Sequence, residues 1–212
     1  MWRARAMRLQ CQMAVHTQDI VGRDRVDQVL HSAARLFREK GYGAASMRDI
    51  AGEVDIRPSS LYHHFPSKQH ILFAICNGFQ RDFNLDVLAQ LSPDRAPEDA
   101  IRAAIHRHIV FSNRRWTDVL VTWRERRSLP REQQATINAL RRQYRDALTA
   151  VIQRGCREGV FEVPDPKLAA MAALDMVNGL VQWFKPRDER DLQLTATRYA
   201  DAVIGLLRGW KG

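Results

Sequence analysis

The chain has 212 residues, which is enough for one or two domains with a buried core. Hydrophobic residues make up 45% of the sequence and charged residues 27%, values that exclude wholesale disorder. The 33 Lys and Arg residues outnumber the 24 Asp and Glu residues, and the formal net charge of +9 favours an anionic partner.

The first segment, 1–22, has no sustained helical or strand periodicity, and we predict a basic, flexible arm there. Its arginines Arg3, Arg5 and Arg8 are suited to the minor groove of DNA. A solvated tail, or a natural start at Met13, accounts for the same residues equally well. The arm lacks the continuous apolar stretch of a secretory signal, and a mitochondrial presequence is a minor alternative.

The cysteine pattern indicates neither a disulfide framework nor a zinc site. The three cysteines are Cys11, Cys76 and Cys156. Because they are far apart and form no CxxC pair, we expect a reducing, cytoplasmic location and no metal or cofactor. The longest apolar run, 168–184, is interrupted by polar residues, so we predict no membrane span.

From about residue 23 onwards, apolar residues recur at helical spacing and no alternating strand pattern occurs. We therefore predict an all-α fold of about nine helices. The first helix covers about 23–40 and ends at Gly41. The second begins at Ser46, whose hydroxyl caps the helix. Asp49, three residues later, completes the capping box by accepting a hydrogen bond in return. After a three-residue break, Pro58 suits the first turn of a short third helix.

A fourth helix begins after Ser67 and reaches about Leu91. The segment 92–97 contains two prolines and is predicted to be a linker. The remaining helices are expected at about 97–112, 116–127, 130–158, 166–185 and 191–209.

Helices two and three, joined by a tight turn and docked on helix one, form a predicted helix-turn-helix. In the third helix, Leu61 and Phe65 point inward. Hydrogen-bonding groups remain on its outer side: Ser59, Ser60, Tyr62, His63 and His64. Such a row suits phosphates and base edges. An ordinary helical hairpin with a polar face accounts for the periodicity just as well.

Residues 61–68, Leu-Tyr-His-His-Phe-Pro-Ser-Lys, resemble the Leu-Tyr-x-His-Phe-x-x-Lys signature of the TetR family of transcriptional regulators. The stretch 37–72 is similar to that family's DNA-binding domain throughout. The resemblance implies a homodimeric repressor that binds a palindromic, double-stranded DNA operator and is released by a small-molecule effector. It divides the chain into the arm, a helix-turn-helix domain over 23–68, and a ligand-binding and dimerisation domain over 69–212.

The family usually has glycine in the turn and again inside the third helix, where this chain has Asp55 and Ser59. Asp tolerates left-handed backbone better than most residues, so we expect the turn to form. Ser59 changes a groove-facing position, and the operator sequence of relatives is therefore not carried over.

The resemblance also implies roles for individual residues. Ser46 contacts phosphate and Arg48 reaches a base edge, while Tyr62 and Lys68 clamp the DNA backbone. His64 packs or bonds a phosphate. The residues assigned to DNA binding are Ser46, Arg48, Arg57, Ser59, Ser60, Tyr62, His63, His64 and Lys68.

The helix predicted over 166–185 is apolar nearly all round, which indicates burial on several faces. Its polar exceptions, Asp175, Asn178 and Gln182, form one stripe. Buried polar groups need partners. These groups face a ligand cavity or bond across a dimer interface, and both alternatives are open.

The segment 123–186 resembles one TetR subgroup, on marks such as Glu125 to Pro130 and Trp183 to Pro186. Several members of that subgroup respond to acyl-CoA thioesters, which makes an acyl-CoA the expected effector. The expected ligand-binding residues are Trp123, Arg126, Tyr144, Asp175, Asn178, Gln182 and Trp183.

Between residues 102 and 127, arginines outnumber the acids. These arginines are Arg102, Arg107, Arg114, Arg115, Arg124, Arg126 and Arg127. An arginine-rich rim beside apolar helices suits CoA phosphates, with an acyl chain in the core. A solvated face or a set of salt bridges explains the arginines equally well.

The last helix carries an apolar seam with alternating steps of four and three: Leu192, Ala196, Tyr199, Val203, Leu206 and Trp210. Such a seam is typical of coiled-coil packing. In the TetR family the last two helices of each subunit form a four-helix dimer interface. The predicted interface residues are Leu192, Tyr199, Val203 and Leu206.

An enzyme is the main rival class. No nucleophile elbow, phosphate loop or HExxH motif occurs, and His106 and His108 lie on different helix faces. We therefore expect no catalysis. An activator, or an architectural DNA-binding protein without a ligand, remains open at this point.

Overall fold

The computed structural model describes residues 25–209, and every long element in that range is an α-helix. Helix α1 covers 25–40. The others are α2 Met47–Glu53, α3 Pro58–His64, α4 Lys68–Leu88, α5 Pro97–Arg114, α6 Trp116–Glu125, α7 Arg131–Arg157, α8 Pro166–Trp183 and α9 Glu189–Gly209. Short 3₁₀ turns follow α4 at Ala89–Leu91 and α6 at Arg126–Ser128. The all-α prediction of nine helices is confirmed over this range, whereas the arm 1–22 and Trp210 lie outside it.

The predicted capping box at the start of α2 is present. The Ser46 hydroxyl accepts a hydrogen bond from the Asp49 amide at 3.1 Å, and the Asp49 carboxylate accepts one from the Ser46 amide at 2.8 Å. These bonds from Ser46 lower the pKa of Asp49 below its ordinary value. The cap therefore satisfies two of the amide groups that a helix start leaves without partners.

The described residues form two compact units that divide between Ile75 and Cys76, inside α4. In the first unit, the core is built from α1 to α3 and the start of α4. Phe37 of α1, Ile50 of α2 and Leu61 of α3 are completely or almost completely buried there. This burial fixes the position of α3 against the two preceding helices.

In the second unit, α5 is the central helix and packs against α7, α8 and α9. Its buried face includes Ile101, Ile105 and Ile109, which belong to one continuous apolar core. Within the described residues, no helix is long and apolar enough to cross a membrane.

Three residues of the predicted seam on α9, Leu192, Ala196 and Val203, are buried inside the subunit. Leu192 and Val203 are buried in the core that α9 shares with α5, and Tyr199 is half-buried against the same core. A side chain that is buried within the subunit has little surface left for a partner chain. Leu192 and Val203 therefore contribute to the core that α9 shares with α5, whereas Leu206 of the same seam is exposed, and the dimer role of the seam stays a prediction.

Candidate functional site

The turn between α2 and α3 forms around a left-handed aspartate. Asp55 has a φ of 50°, a conformation that glycine adopts more readily. The Ile56 amide donates to the Ala51 carbonyl at 3.0 Å, and the Asp55 amide donates to the Gly52 carbonyl at 3.3 Å. These two bonds make a Schellman motif, so the turn exists without the family's usual glycine.

Helix α3 is anchored by Leu61, which is fully buried, and by Phe65 just beyond its end. Its remaining side chains are exposed, including Tyr62, half of whose surface is accessible. The exposed residues of the predicted row are Ser59, Ser60, Tyr62, His63 and His64. Arg57, Ser46 and Arg48 are exposed as well. The short helix therefore presents a polar surface while two apolar side chains hold it in place.

Lys68, predicted to clamp the DNA backbone, lies against the loop between α1 and α2. Its ammonium donates to the carbonyls of Tyr42 at 2.6 Å, Ala45 at 2.7 Å and Gly43 at 3.3 Å, and it lies 4.5 Å from the centroid of the Tyr42 ring. An ammonium has three donors, and all three are occupied in this loop. A phosphate clamp would have to break these bonds, so Lys68 anchors the loop between α1 and α2.

The second unit contains a cavity of about 180 Å³. Its lining comes from α4 to α8: Phe79, Gln80, Phe83, His108, Ser112, Val119, Thr122, Trp123, Arg141, Tyr144, Leu174, Asp175, Asn178 and Val181. Four of the predicted ligand residues line it, namely Trp123, Tyr144, Asp175 and Asn178. Arg126, Gln182 and Trp183 do not line this cavity.

One wall of the cavity is aromatic. The Phe83 ring centroid lies 4.7 Å from that of His108, 5.1 Å from Tyr144 and 5.7 Å from Phe111, all edge-to-face. Burial lowers the pKa of His108 to about 3 and raises the pKa of Tyr144 above its ordinary value. Both side chains are therefore neutral at physiological pH, and this wall suits an apolar group.

Sequence reasoning missed several lining residues, and Arg141 is the most informative. Arg141 follows Ile137 by four residues on α7 and precedes Tyr144 by three, which places it on the buried face of the helix. That spacing was available as a signal. An arginine on an apolar stripe is ordinarily interpreted as a solvated residue with a buried stem.

Two further depressions continue from the cavity along α5 and α8. A narrow gap of about 10 Å³ shares Ser112 and Val181 with the cavity. An open cleft of about 320 Å³ shares Asn113 and Phe184 with the gap. The cleft is also lined by Trp116, Lys185 and Pro186. Each depression therefore adjoins the next through shared lining residues, and we call the cavity, the gap and the cleft together the row.

The open end of the row is basic and aromatic. The Lys185 ammonium lies 5.8 Å from the centroid of the Trp116 ring, and the Trp116 indole donates to the Val181 carbonyl at 3.1 Å. A flat ring and an ammonium beside each other can stack a base and pair with a phosphate.

The arginines at 102–127 divide into two groups. Arg107 makes a bidentate pair with Asp86 at 2.6 and 2.8 Å, and Arg114 pairs with Glu189 at 2.7 Å. Arg102 and Arg115 also form ion pairs. Arg124, Arg126 and Arg127 form none with the residues described. Salt bridges thus account for four of the seven arginines.

An apolar surface remains exposed on the last two helices. Its larger side chains are Leu168, Met171, Met176 and Trp183 on α8, with Leu194 and Leu206 on α9. Large exposed apolar side chains concentrated on two neighbouring helices are typical of an interaction surface.

Residues 29–75 match the family model described as bacterial regulatory proteins, tetR family. Residues 94–207, more than half of the chain, match the tetracyclin repressor-like C-terminal domain. The chain belongs to the TetR family. It is a DNA-binding transcriptional regulator and not an enzyme.

Relatives of this TetR-family chain match over most of its length. The HTH-type transcriptional repressor KstR2 of Rhodococcus jostii is 28% identical over 182 residues, which cover 84% of this chain and 88% of KstR2. The crystal structure of AibR in complex with isovaleryl coenzyme A and operator DNA is 32% identical, with a TM-score of 0.75 over 86% of this chain and 97% of AibR. PfmR from Thermus thermophilus is 31% identical, with a TM-score of 0.78 over 87% and 99% of the two chains.

Proposed function

We propose that the protein is a homodimeric repressor that leaves a palindromic operator when it binds an acyl-CoA thioester. The observation that carries the effector class is the row formed by the cavity, the gap and the cleft. The row has a neutral aromatic wall at one end and an open cleft with Trp116 and Lys185 at the other. This order of surfaces matches a molecule with an apolar head, a thin linker and an anionic, aromatic tail.

An acyl-CoA has those three parts. In the proposed pose the acyl group lies in the cavity, the pantetheine arm passes the gap, and the nucleotide lies near Trp116 and Lys185. A related protein, AibR, is known in complex with isovaleryl coenzyme A and operator DNA. That precedent supports the thioester class for this chain.

The gap supplies a physical basis for release. At about 10 Å³ it holds no more than one water molecule, and its walls come from α5 and α8. A pantetheine arm would push these helices apart, so it binds better to a conformation in which they are separated. A ligand shifts an equilibrium only through such a difference in affinity. A tenfold loss of operator affinity requires that the ligand's binding free energies for the two conformations differ by about 1.4 kcal/mol.

The proposed DNA contacts use the exposed residues around α3. Ser59, Ser60 and His63 face the major groove, and Tyr62 contacts the phosphate backbone. Arg48 reaches a base edge and carries part of the sequence preference. Lys68 is not included, because its donors hold the loop at Tyr42 to Ala45.

The proposed dimer interface is the exposed apolar surface of α8 and α9, which includes Leu206 of the predicted α9 seam but not its buried members. Leu194 and Leu206 lie on the outer side of α9, and Leu168 and Met171 lie on α8. Two such surfaces packed face to face would make a four-helix interface related by a two-fold axis. A two-fold dimer also explains a palindromic operator. A regulator of this kind works in the cytoplasm, where its DNA is.

The effector class is tested by fluorescence anisotropy with a labelled operator fragment at fixed ionic strength. Isovaleryl-CoA should weaken operator binding at least about tenfold, a change within ordinary coupling energies. Free CoA and isovalerate, which each fill one end of the row, should have little effect. Equal operator affinity with and without a range of acyl-CoAs would contradict the thioester class.

A further inference from the structure

The cavity contains a cation that forms no ion pair among the described residues. Arg141 lies on the buried face of α7, is half-buried, and lines the cavity beside Tyr144. It makes no hydrogen bond and no ion pair with any residue of the described range. The neighbouring Arg142, by contrast, is exposed to solvent.

The charges around Arg141 do not neutralise it. Burial and the nearby Arg126 both lower its pKa from the ordinary value, while Asp175 on α8 acts in the opposite direction without forming an ion pair. Arginine starts from so high a pKa that its guanidinium stays charged. A partly buried charge without a partner is unfavourable, and an anion that enters the cavity would remove that cost.

A second polar group of the cavity also lacks a partner. Thr122 on α6 is only 3% exposed, lines the cavity, and its hydroxyl oxygen has no hydrogen-bond partner. The Cys76 thiol lies close enough to interact with it, but a thiol is a weak hydrogen-bond partner. Arg141 and Thr122 therefore provide two unmet donors in a cavity whose remaining lining combines aromatic and aliphatic side chains with Gln80, Ser112, Asp175 and Asn178.

The size of the cavity limits the group that these donors can meet. An engineered apolar cavity of about 150 Å³ admits benzene. At about 180 Å³, this cavity has room for one six-membered ring or a short branched chain together with a small polar group.

We propose that the cavity binds an organic anion whose oxyanion pairs with Arg141 and whose apolar part is no larger than about one ring. This inference rests on the proposed effector site and names the chemistry of its inner end. The oxyanion is a carboxylate on a short acyl group or, with CoA bound in the opposite orientation to the pose proposed above, one of its phosphates. Thr122 donates a further hydrogen bond, and the ring or branched chain packs against Phe79, Phe83 and Tyr144.

Calorimetric titration of the full-length protein with benzoate, benzamide, inorganic phosphate and CoA tests this assignment. Benzoate and benzamide have the same ring and differ in charge. Benzoate should bind about tenfold more tightly than benzamide, because a charge-assisted bidentate pair is stronger than a neutral bond. If phosphate or CoA binds and benzoate does not, the oxyanion that pairs with Arg141 is a phosphate.

Three variants complete the experiment. Arg141→Gln should abolish the preference for the anion, Arg141→Lys should keep part of it, and the exposed neighbour Arg142→Gln should behave like the parent. Arg141→Gln should also melt at a higher temperature than the parent, because it removes an unpaired charge. Circular dichroism and operator binding show that each variant is folded.

The assignment is overturned if Arg141→Gln and Arg141→Lys bind every anion as the parent does, if benzamide matches benzoate, or if no anion binds. Its failure is separable from that of the proposed function. If benzoate binds through Arg141 but no thioester alters operator affinity, the thioester class fails and Arg141 stands. If an acyl-CoA releases the operator equally well from Arg141→Gln and from the parent, the thioester class stands and the pairing with Arg141 fails.

Discussion

The aromatic ring of Phe161 lies directly against Gly155 of α7, and a Cβ added to Gly155 would overlap that ring. The Phe161 amide also donates to the Gly155 carbonyl at 3.2 Å. Phe161 is buried in the core that contains α7, α8 and α9. Gly155 is therefore required for space, at a point where α7 and the following loop meet.

Gly155→Ala should destabilise the second unit by about 1–3 kcal/mol, since Phe161 has to move to admit a methyl group. Thermal unfolding followed by circular dichroism measures the loss. Gly78→Ala in α4 is the matched control, because a Cβ added there meets no described atom within 4 Å beyond its own stretch of helix. The control should be equal to or more stable than the parent. A Gly155→Ala protein that melts with the parent would show that Phe161 is not confined.

The anchoring role of Lys68 predicts a loss of stability rather than a pure loss of DNA affinity. Lys68→Met keeps most of the apolar stem and removes three hydrogen bonds to carbonyls, so it should cost about 1–3 kcal/mol. Chemical denaturation of the DNA-free protein provides the value. His63→Ala, an exposed change on α3, should leave the unfolding midpoint in place. If Lys68→Met unfolds like the parent but binds DNA weakly, the anchoring role is contradicted and a contact between Lys68 and a DNA phosphate is supported.

The dimer prediction separates the two faces of α9. Leu194 is exposed, and Leu194→Asp should give folded monomers because a buried, unpaired charge opposes association. Val203 is fully buried, and Val203→Asp should instead unfold the subunit. Analytical ultracentrifugation combined with circular dichroism distinguishes the outcomes. Leu85→Asp is the control, since Leu85 is an exposed leucine on α4. An intact dimer with Leu194→Asp removes this face from the interface.

Local signals in the sequence predicted most of the helices. The capping box at Ser46 and Asp49, the inward placement of Leu61 and Phe65, and the tolerance of Asp55 for left-handed backbone all follow from short-range rules. These features depend on residues close together in the chain, so periodicity and caps are enough to find them.

Features that depend on tertiary packing were not predictable in the same way. The α9 seam indicates a packed helix but not its partner, and Leu192 and Val203 are buried in the core that α9 shares with α5 of the same subunit. Lys68 finds its acceptors in a loop more than twenty residues earlier. Arg141 belongs to the cavity only because α4, α5, α6 and α8 surround it. Periodicity predicts which face of a helix is buried, whereas the element that packs against that face depends on the whole fold.

The central claim, that an acyl-CoA and the operator bind to opposing conformations, is tested most directly by reciprocal binding. If isovaleryl-CoA weakens operator binding by a factor, the operator must weaken isovaleryl-CoA binding by the same factor. Calorimetric titration of isovaleryl-CoA into the free dimer and into the dimer saturated with operator measures both affinities. The account predicts binding about tenfold weaker in the operator complex. Equal affinity in the two titrations would contradict it.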